Sequence, residues 1–409
     1  MSGRWQPALS RFLQRSHSLA PLELAALVEE TARRLGLDSA TVLLADVQQE
    51  RLVPLPGRYA VMNTEELEID GSVAGRAYRT VTPQVSPHAP AVAHLPLLDG
   101  ITRIGVLRVT ADRLTPERLE AATELASVVA VVVVSKSAFS DQLARTVRTR
   151  RMTTAAEMVW AFLPPQTIGT EQVTSTAVVE PAYEVGGDAF DHGLDDGHLH
   201  LTVVDAMGHD LAAGLSSAVA LAGSRATRRT TGTLTDIADR IDADLDQWLP
   251  GRLLTGIFAR LDLGSGRLVW INAGHPPPLL IRANHVVADA LNPPGELPLG
   301  IGPGYQATRT VHEAQLEPGD RILIHTDGVT EARSRTGERY GEQQLTDLVT
   351  RSLAAEEPAP EALRRLIRAV LDHHRDPLDD DATILLAEWH PTRAAPPGDG
   401  QPPRPRPEA

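Results

Sequence analysis

The sequence predicts an α+β chain: an N-terminal α/β unit, a helical connector and a C-terminal unit built largely from strands. Three observations carry this. At 409 residues the chain is long enough for two ordinary domains with separate cores. In its first third, helix-period and strand-period apolar segments alternate at short intervals. Beyond about residue 184, short apolar runs repeatedly end on or begin after an aspartate.

Composition narrows the function classes. A formal net charge of −14 argues against a nucleic-acid surface, which needs clustered basic charge. With no cysteine, disulfides, thiolate metal sites and cysteine nucleophiles are excluded. The N-terminal MSGRWQPALSRFLQRSHSL lacks a long apolar stretch of the signal-peptide kind. The most apolar run, Val128 to Val134, is far shorter than the ~20 residues that span a bilayer. The expectation is a cytoplasmic protein with no membrane and no nucleic-acid partner.

Residues 1–19 read as an N-terminal extension. Pro21 to Leu35 places leucines and alanines at helical spacing, with Gly36 suited to the stop. Ala40 to Asp46 and Arg51 to Leu55 read as paired strands, and Asp70 to Arg79 as a turn opening a short helix. Val92 to Leu98 and Ile104 to Val109 form another strand pair around Asp99-Gly100. Thr115-Pro116 then supplies an N-cap and a first-turn proline for a long helix. From Glu117 to Phe162 there is neither Gly nor Pro, so the connector, 138–165, is expected to be helical until Pro164-Pro165 ends it. Its apolar stripe contains Met158, Trp160 and Phe162, so some of it must be buried against the core or a second subunit, and a homodimer is the favoured expectation. In the C-terminal unit, Thr255 to Asp262 and Arg267 to Ile271 read as a hairpin around Gly264-Ser-Gly266. A helix over Glu361 to His373 precedes the terminal strand. The tail from 391 to 409 is Pro-rich and charged, which reads as disorder.

The carboxylates are the informative feature. Asp188 follows Gly186-Gly187, and Asp205 ends the apolar run Leu201 to Val204 before Ala206. Asp327 follows Arg321 to Thr326, and Asp379-Asp380-Asp381 precedes the run Thr383 to Leu386. An aspartate ending a buried strand is costly to desolvate without a positive partner. The stretch from Glu184 to Asp210 contains no lysine or arginine, so a hard cation is the natural partner. Taken singly each aspartate reads as a turn residue or cap. Asp195-Asp196-Gly197 reads as nothing more than a turn.

Six segments occur in order: EVGGDAFD, VVDAMGHDLAAGLSSA, TGIFARLDLGSGRLVWINAGHPPPLLI, LPLGI, GDRILIHTDGVTEAR and DDDATILL. Together they resemble the SpoIIE/RsbU-like branch of the bacterial PPM-type, protein phosphatase 2C-like, serine/threonine phosphatases. The C-terminal unit, 166–390, is accordingly expected to be a β-sandwich flanked by helices. The first unit, 20–137, resembles a GAF sensory domain. Its Arg76, Tyr78, His88 and His94 are candidates to line a small-ligand pocket, against the alternative of a dimerisation module that binds nothing.

The resemblance implies a site for two ions, Mn2+ or Mg2+, and a metal-dependent phosphoprotein phosphatase. Asp188 and Asp205 would hold the metal pair with the carbonyl of Ala206, and Asp327 and Asp380 or Asp381 would complete one side. Asp380 is preferred as the ligand, with Asp381 in an outer role, and Asp191 is a candidate to orient a water. His209 is placed differently from the histidine of eukaryotic relatives. His275 reads as a turn organiser. Ala189 and Asp210 depart from the usual pattern, and Asp210 is expected to cap the following helix. The implied substrate is a phosphorylated anti-sigma-factor antagonist. The alternatives are a catalytically silent partner-switching module and a hydrolase of small phosphoesters.

Overall fold

The structure, a computed structural model, describes residues 5–57, 65–208, 210–301, 309–331, 340–353, 357–374 and 380–390. His209 and the tail 391–409 lie outside the described residues.

The N-terminal unit opens with a helix inside the expected extension, α1 (Gln6–Ser16), whose Phe12 is fully buried. A single 3-10 turn leads into α2 (Leu24–Arg34). Then come β1 (Ser39–Ala45), β2 (Arg51–Pro54), β3 (Leu67–Glu68), α3 (Val73–Thr80), β4 (Gln84–Ser86), β5 (Ala91–Asp99), β6 (Thr102–Ala111) and α4 (Pro116–Ser137). The strands form one antiparallel sheet in the order β3-β2-β1-β6-β5-β4. Alternate residues of β5, Ala93, Leu95 and Leu97, join α1, α2 and α4 in one core. The other face of the sheet packs on α3 through Leu43, Val106 and Tyr78. Thr115 caps α4 as the sequence predicts, its Oγ1 accepting the Arg118 amide at 3.3 Å, and in the structure Ser72 Oγ likewise caps α3, accepting that of Gly75 at 2.9 Å.

The connector departs from expectation. It is broken into α5 (Asp141–Val147) and α6 (Thr154–Phe162), and α4 and α5 meet at 111°. Absence of Gly and Pro permits a helix without enforcing one, and local caps reset the chain twice. Ser140 Oγ accepts the Leu143 amide, and Thr153 Oγ1 accepts that of Ala156. Leu143 and Val147 join the N-terminal core. Ala156, Val159 and Trp160 join the C-terminal one, and the Trp160 indole donates to Ala182 O at 2.7 Å. The apolar stripe of α6 is therefore covered by its own domain, leaving only Phe162 substantially exposed.

The C-terminal unit is a β-sandwich. Its elements are β7 (Thr167–Gly169), β8 (Val173–Glu180), β9 (Asp188–Asp195), β10 (His198–Ala206), α7 (Leu211–Arg228), α8 (Leu234–Trp248), β11 (Leu254–Asp262), β12 (Arg267–Ala273), β13 (Leu279–Arg282), β14 (His285–Val287), β15 (His312–Gln315), β16 (Arg321–His325), α9 (Asp327–Glu331), α10 (Gly341–Leu353), α11 (Ala359–His374) and β17 (Ala382–Trp389). One sheet runs β15-β12-β11-β10-β9 and the other β14-β13-β16-β17-β8-β7, all antiparallel. Phe190, Val203, Phe258 and Ile271 of the first sheet share one core with Ala177, Ile324 and Leu385 of the second and with α6 to α8. Helices α10 and α11 form a second core on the far side, against Val178, Leu323 and Leu386. This is the helix-flanked sandwich that the resemblance implies.

Candidate metal centre

The hairpin of β9 and β10 is set by Asp196 and Gly197, both at positive φ in the turn. Its register puts Asp188 opposite Asp205, at the end of the sheet away from that turn. Asp188 is 1% exposed. Its Oδ2 accepts the Thr326 hydroxyl at 2.7 Å, and the same hydroxyl oxygen accepts the Thr383 amide at 2.9 Å. One threonine thus ties Asp188 of the first sheet to the ends of β16 and β17 in the second.

Asp381, at the entry to β17, is buried. Its Oδ2 accepts three successive amides, from Gly186 at 2.8 Å, Gly187 at 2.7 Å and Asp188 at 3.2 Å. Asp380 and Asp327 are exposed at the mouth, and Asp380 Oδ1 accepts the Asp381 amide at 2.9 Å. Asp327 opens α9 rather than ending a strand, because β16 stops at His325.

Two glycines allow these approaches. A Cβ on Gly328 would lie 1.8 Å from Asp381 O, so the residue after Asp327 has no room for a side chain. A Cβ on Gly187 would lie 2.5 Å from Ala206 O and 2.6 Å from Gly208 O, which puts the Ala206 carbonyl against the strand that carries Asp188.

The carboxylates raise one another's pKa. Burial, then the nearby Asp327, Asp380 and Asp381, pushes Asp205 up to about 7. Burial, then Asp205 and Asp381, pushes Asp188 well up. Asp327 is raised by burial and by Asp380. Burial also raises Asp381, against the pull of its three amide donors. Among the described residues no lysine or arginine forms an ion pair with any of the five, so each proton or cation bound there relieves several repulsions at once. The donor set is all oxygen, which suits Mg2+ or Mn2+. Among the described residues no three His, Asp or Glu side chains close into a ready cage, so the cluster is an open acidic mouth.

Other candidates are placed elsewhere. Asp191 faces away from a water-orienting role: its oxygens are taken by Arg225, at 2.7 and 3.1 Å, and by Arg228, at 2.5 Å. The sequence stretch around it contains no cation, but α7 brings these two from 34 and 37 residues downstream. Asp210 caps α7, accepting the Ala213 amide at 2.7 Å. His275 organises its turn through two hydrogen bonds with Asn272. In the N-terminal unit Arg76 and His88 are exposed, whereas Tyr78 is buried with its hydroxyl on Gln49. Thr326, the outer support of Asp188, was missed by sequence reasoning. Its signal was a threonine directly before Asp327, matched by Thr383 after the acidic triplet.

A helix-flanked pair of antiparallel sheets with aspartates gathered at one end defines the PPM, protein phosphatase 2C-like, fold class. Residues 195–390 match the family described as Stage II sporulation protein E (SpoIIE), and this part of the chain is a SpoIIE-family domain. The match takes in Asp205, Ala206, Asp327, Asp380 and Asp381 and begins after Asp188. Protein IcfG of Synechocystis sp. (strain ATCC 27184 / PCC 6803 / Kazusa) is 25% identical over 257 residues, 56% of this chain and 39% of that protein, so this chain spans about two fifths of its length. The phosphoserine phosphatase RsbU of Bacillus subtilis (strain 168) is 22% identical over 235 residues, 57% of this chain and 68% of that protein. The solved SiaA-PP2C domain of Pseudomonas aeruginosa is similar with a TM-score of 0.48 and 19% identity, covering 57% of this chain and 94% of that domain.

Proposed function

We propose that the chain is a Mg2+- or Mn2+-dependent phosphatase of phosphoserine or phosphothreonine in a protein, with Asp188, Asp205, Asp327, Asp380 or Asp381 and the Ala206 carbonyl as metal ligands. The observation that carries this is the pairing of Asp188 with Asp205 across β9 and β10, beside Asp381 and with no basic ion-pair partner among the described residues. When bound, two divalent cations supply an ionised water and positive charge on the transferring phosphoryl group. The chain's own part is positional. Thr326 fixes the Asp188 carboxylate, and the 186–188 amides hold Asp381 with one oxygen engaged. Exposed Asp327 and Asp380 face the solvent side, where a substrate phosphate arrives.

The N-terminal unit is read as a GAF-like regulatory domain, and a cytoplasmic homodimer belongs to the same reading. The substrate we infer is a phosphorylated anti-sigma-factor antagonist, supported by the likeness to RsbU. Steady-state kinetics on such a phosphoprotein and on p-nitrophenyl phosphate test this. A kcat/KM at least 100-fold higher on the phosphoprotein is expected, and equal values would favour a small-phosphoester hydrolase. The open arrangement of the carboxylates is the one observation on the side of a silent partner-switching module. Partner binding without metal-dependent turnover of either substrate would establish that reading.

A further inference from the structure

Two features of the boundary between the N-terminal unit and the sandwich are unusual together. Among the described residues, none of the four apolar clusters draws buried residues from both units. Apolar side chains of the two that face each other line cavities: Val133 and Val147 against Trp160, Pro164 and Pro165, of about 320 Å3, and Leu98 and Ile101 against Pro358 and Pro360, of about 580 Å3. Ile101 packs on Gly169, and Thr102 and Gln49 bond to Thr167 and Gln166, but the charged contact is the buried one. Arg103 of β6 is 8% exposed and Glu361 and Arg364 of α11 are 1% and 3% exposed. Arg103 Nη1 donates to Glu361 Oε2 at 2.8 Å and its Nη2 to Pro360 O at 3.0 Å. Arg364 donates to Glu361 at 2.8 and 3.0 Å, and reaches across to both oxygens of Asp70 at 2.7 and 3.1 Å. Two guanidinium groups and two carboxylates thus meet, with the Tyr78 ring 4.6 Å beneath Arg103, while Arg79 and Arg368 approach the half-exposed Asp70 at 3.7 and 3.6 Å.

Such a contact behaves differently from an apolar one. Removing paired charges from water costs about as much as their attraction returns, so an ionic cluster of this kind fixes orientation while adding little net stability. On separation its charges regain water, whereas a shared apolar core would be left exposed. The two units are therefore built to dock in one register and to part.

The contact also lands on the segments that bear the metal-site carboxylates. In sequence, α11 ends at His374, six residues before Asp380. A second contact, Gln48 Nε2 to Glu180 Oε2 at 3.1 Å, falls on the residue paired with Ala382, directly after Asp381. Glu180 also begins the loop that carries Gly186 and Gly187 to Asp381.

We propose that Arg103, Asp70, Glu361 and Arg364 form a releasable latch, and that docking through it holds the 180–188 and 380–381 segments in the arrangement that binds the metals. This rests on the metal-dependent phosphatase reading for its activity readout, and the docking readout stands apart from it. The latch residues are positioning residues.

The test uses the full chain with Asp70→Arg, which sets a further cation against Arg79, Arg364 and Arg368 from a half-exposed turn, and the charge-conserving Asp70→Glu. Small-angle scattering reads docking, and the Mn2+ concentration for half-maximal p-nitrophenyl phosphate hydrolysis reads coupling. The expected result is a more extended D70R with half-saturation raised on the order of tenfold, and both readouts close to wild type in D70E. A compact D70R, or an extended one with unchanged Mn2+ half-saturation, would overturn the proposal. So would a D70E as extended as D70R with both domains folded by circular dichroism. If the wild type hydrolyses nothing, Mn2+ binding by calorimetry replaces the activity readout. In that case the phosphatase reading fails, while the latch is still judged on docking and Mn2+ affinity.

Discussion

Thr326 uses one hydroxyl to hold two structures: it donates to Asp188 and accepts the Thr383 amide. Thr326→Val keeps the shape and removes both bonds. Losing an outer support of a metal ligand typically costs 10–100-fold in affinity or activity, so the Mn2+ dependence of T326V is expected to shift by roughly that factor with the fold intact. Wild-type Mn2+ dependence in this variant would remove Thr326 from the site. Gly328→Ala probes the adjacent position sterically. Its Cβ would lie 1.8 Å from Asp381 O, and overpacking of this kind costs about 1–3 kcal/mol. Denaturant unfolding should show a loss in that range together with weaker metal binding. The aspartates were legible at this scale because each one breaks an apolar pattern. Thr326 was not, because a threonine ending a strand is unremarkable until the fold brings residue 188 to it.

Strand β8 carries a buried carboxyl in Glu180, which accepts from the Ala182 amide and Gln48. Burial pushes its pKa up to about 7, only partly opposed by these donors. The folded state therefore holds a proton that the unfolded chain has already released between about pH 4.5 and 7. Stability falls as pH rises through that window. Glu180→Gln should flatten the fall, by on the order of 1–3 kcal/mol between pH 5 and 8 in urea unfolding. An unchanged pH profile would mean that Glu180 ionises in place. Helix α7 gives a second test. Asp191→Ala leaves Arg225 and Arg228 without their carboxylate, and breaking a buried pair from one side costs about 3 kcal/mol or more. Lying in the same stretch of sequence as Asp188 and Asp205, Asp191 read as a possible site residue. Only the packing of α7 on β9 reveals its arginines, since periodicity fixes a helix but not which strand it meets. The connector failed for a related reason: helix-compatible composition says nothing about where Ser140 and Thr153 restart the chain.

At the scale of the whole molecule, the sandwich and its helices followed from six ordered motifs, whereas the boundary between the units did not. A contact such as Arg103 to Glu361 joins residues 258 positions apart and leaves no periodic trace in either segment. Separate apolar cores predict two unfolding transitions in calorimetry, brought closer by whatever the ionic contact adds. A single transition insensitive to Asp70→Arg would show tighter coupling than the separate cores allow.

The most direct measurement is hydrolysis of a phosphoserine peptide with and without Mn2+, with Mn2+ binding by calorimetry, for wild type and Asp205→Asn. The expected result is Mn2+-dependent turnover in the wild type that falls by at least about 100-fold in the variant, with matching loss of metal affinity. Well-folded wild-type protein that binds no Mn2+ and hydrolyses nothing, or an Asp205→Asn variant as active as wild type, would contradict the assignment of these aspartates to a catalytic metal centre.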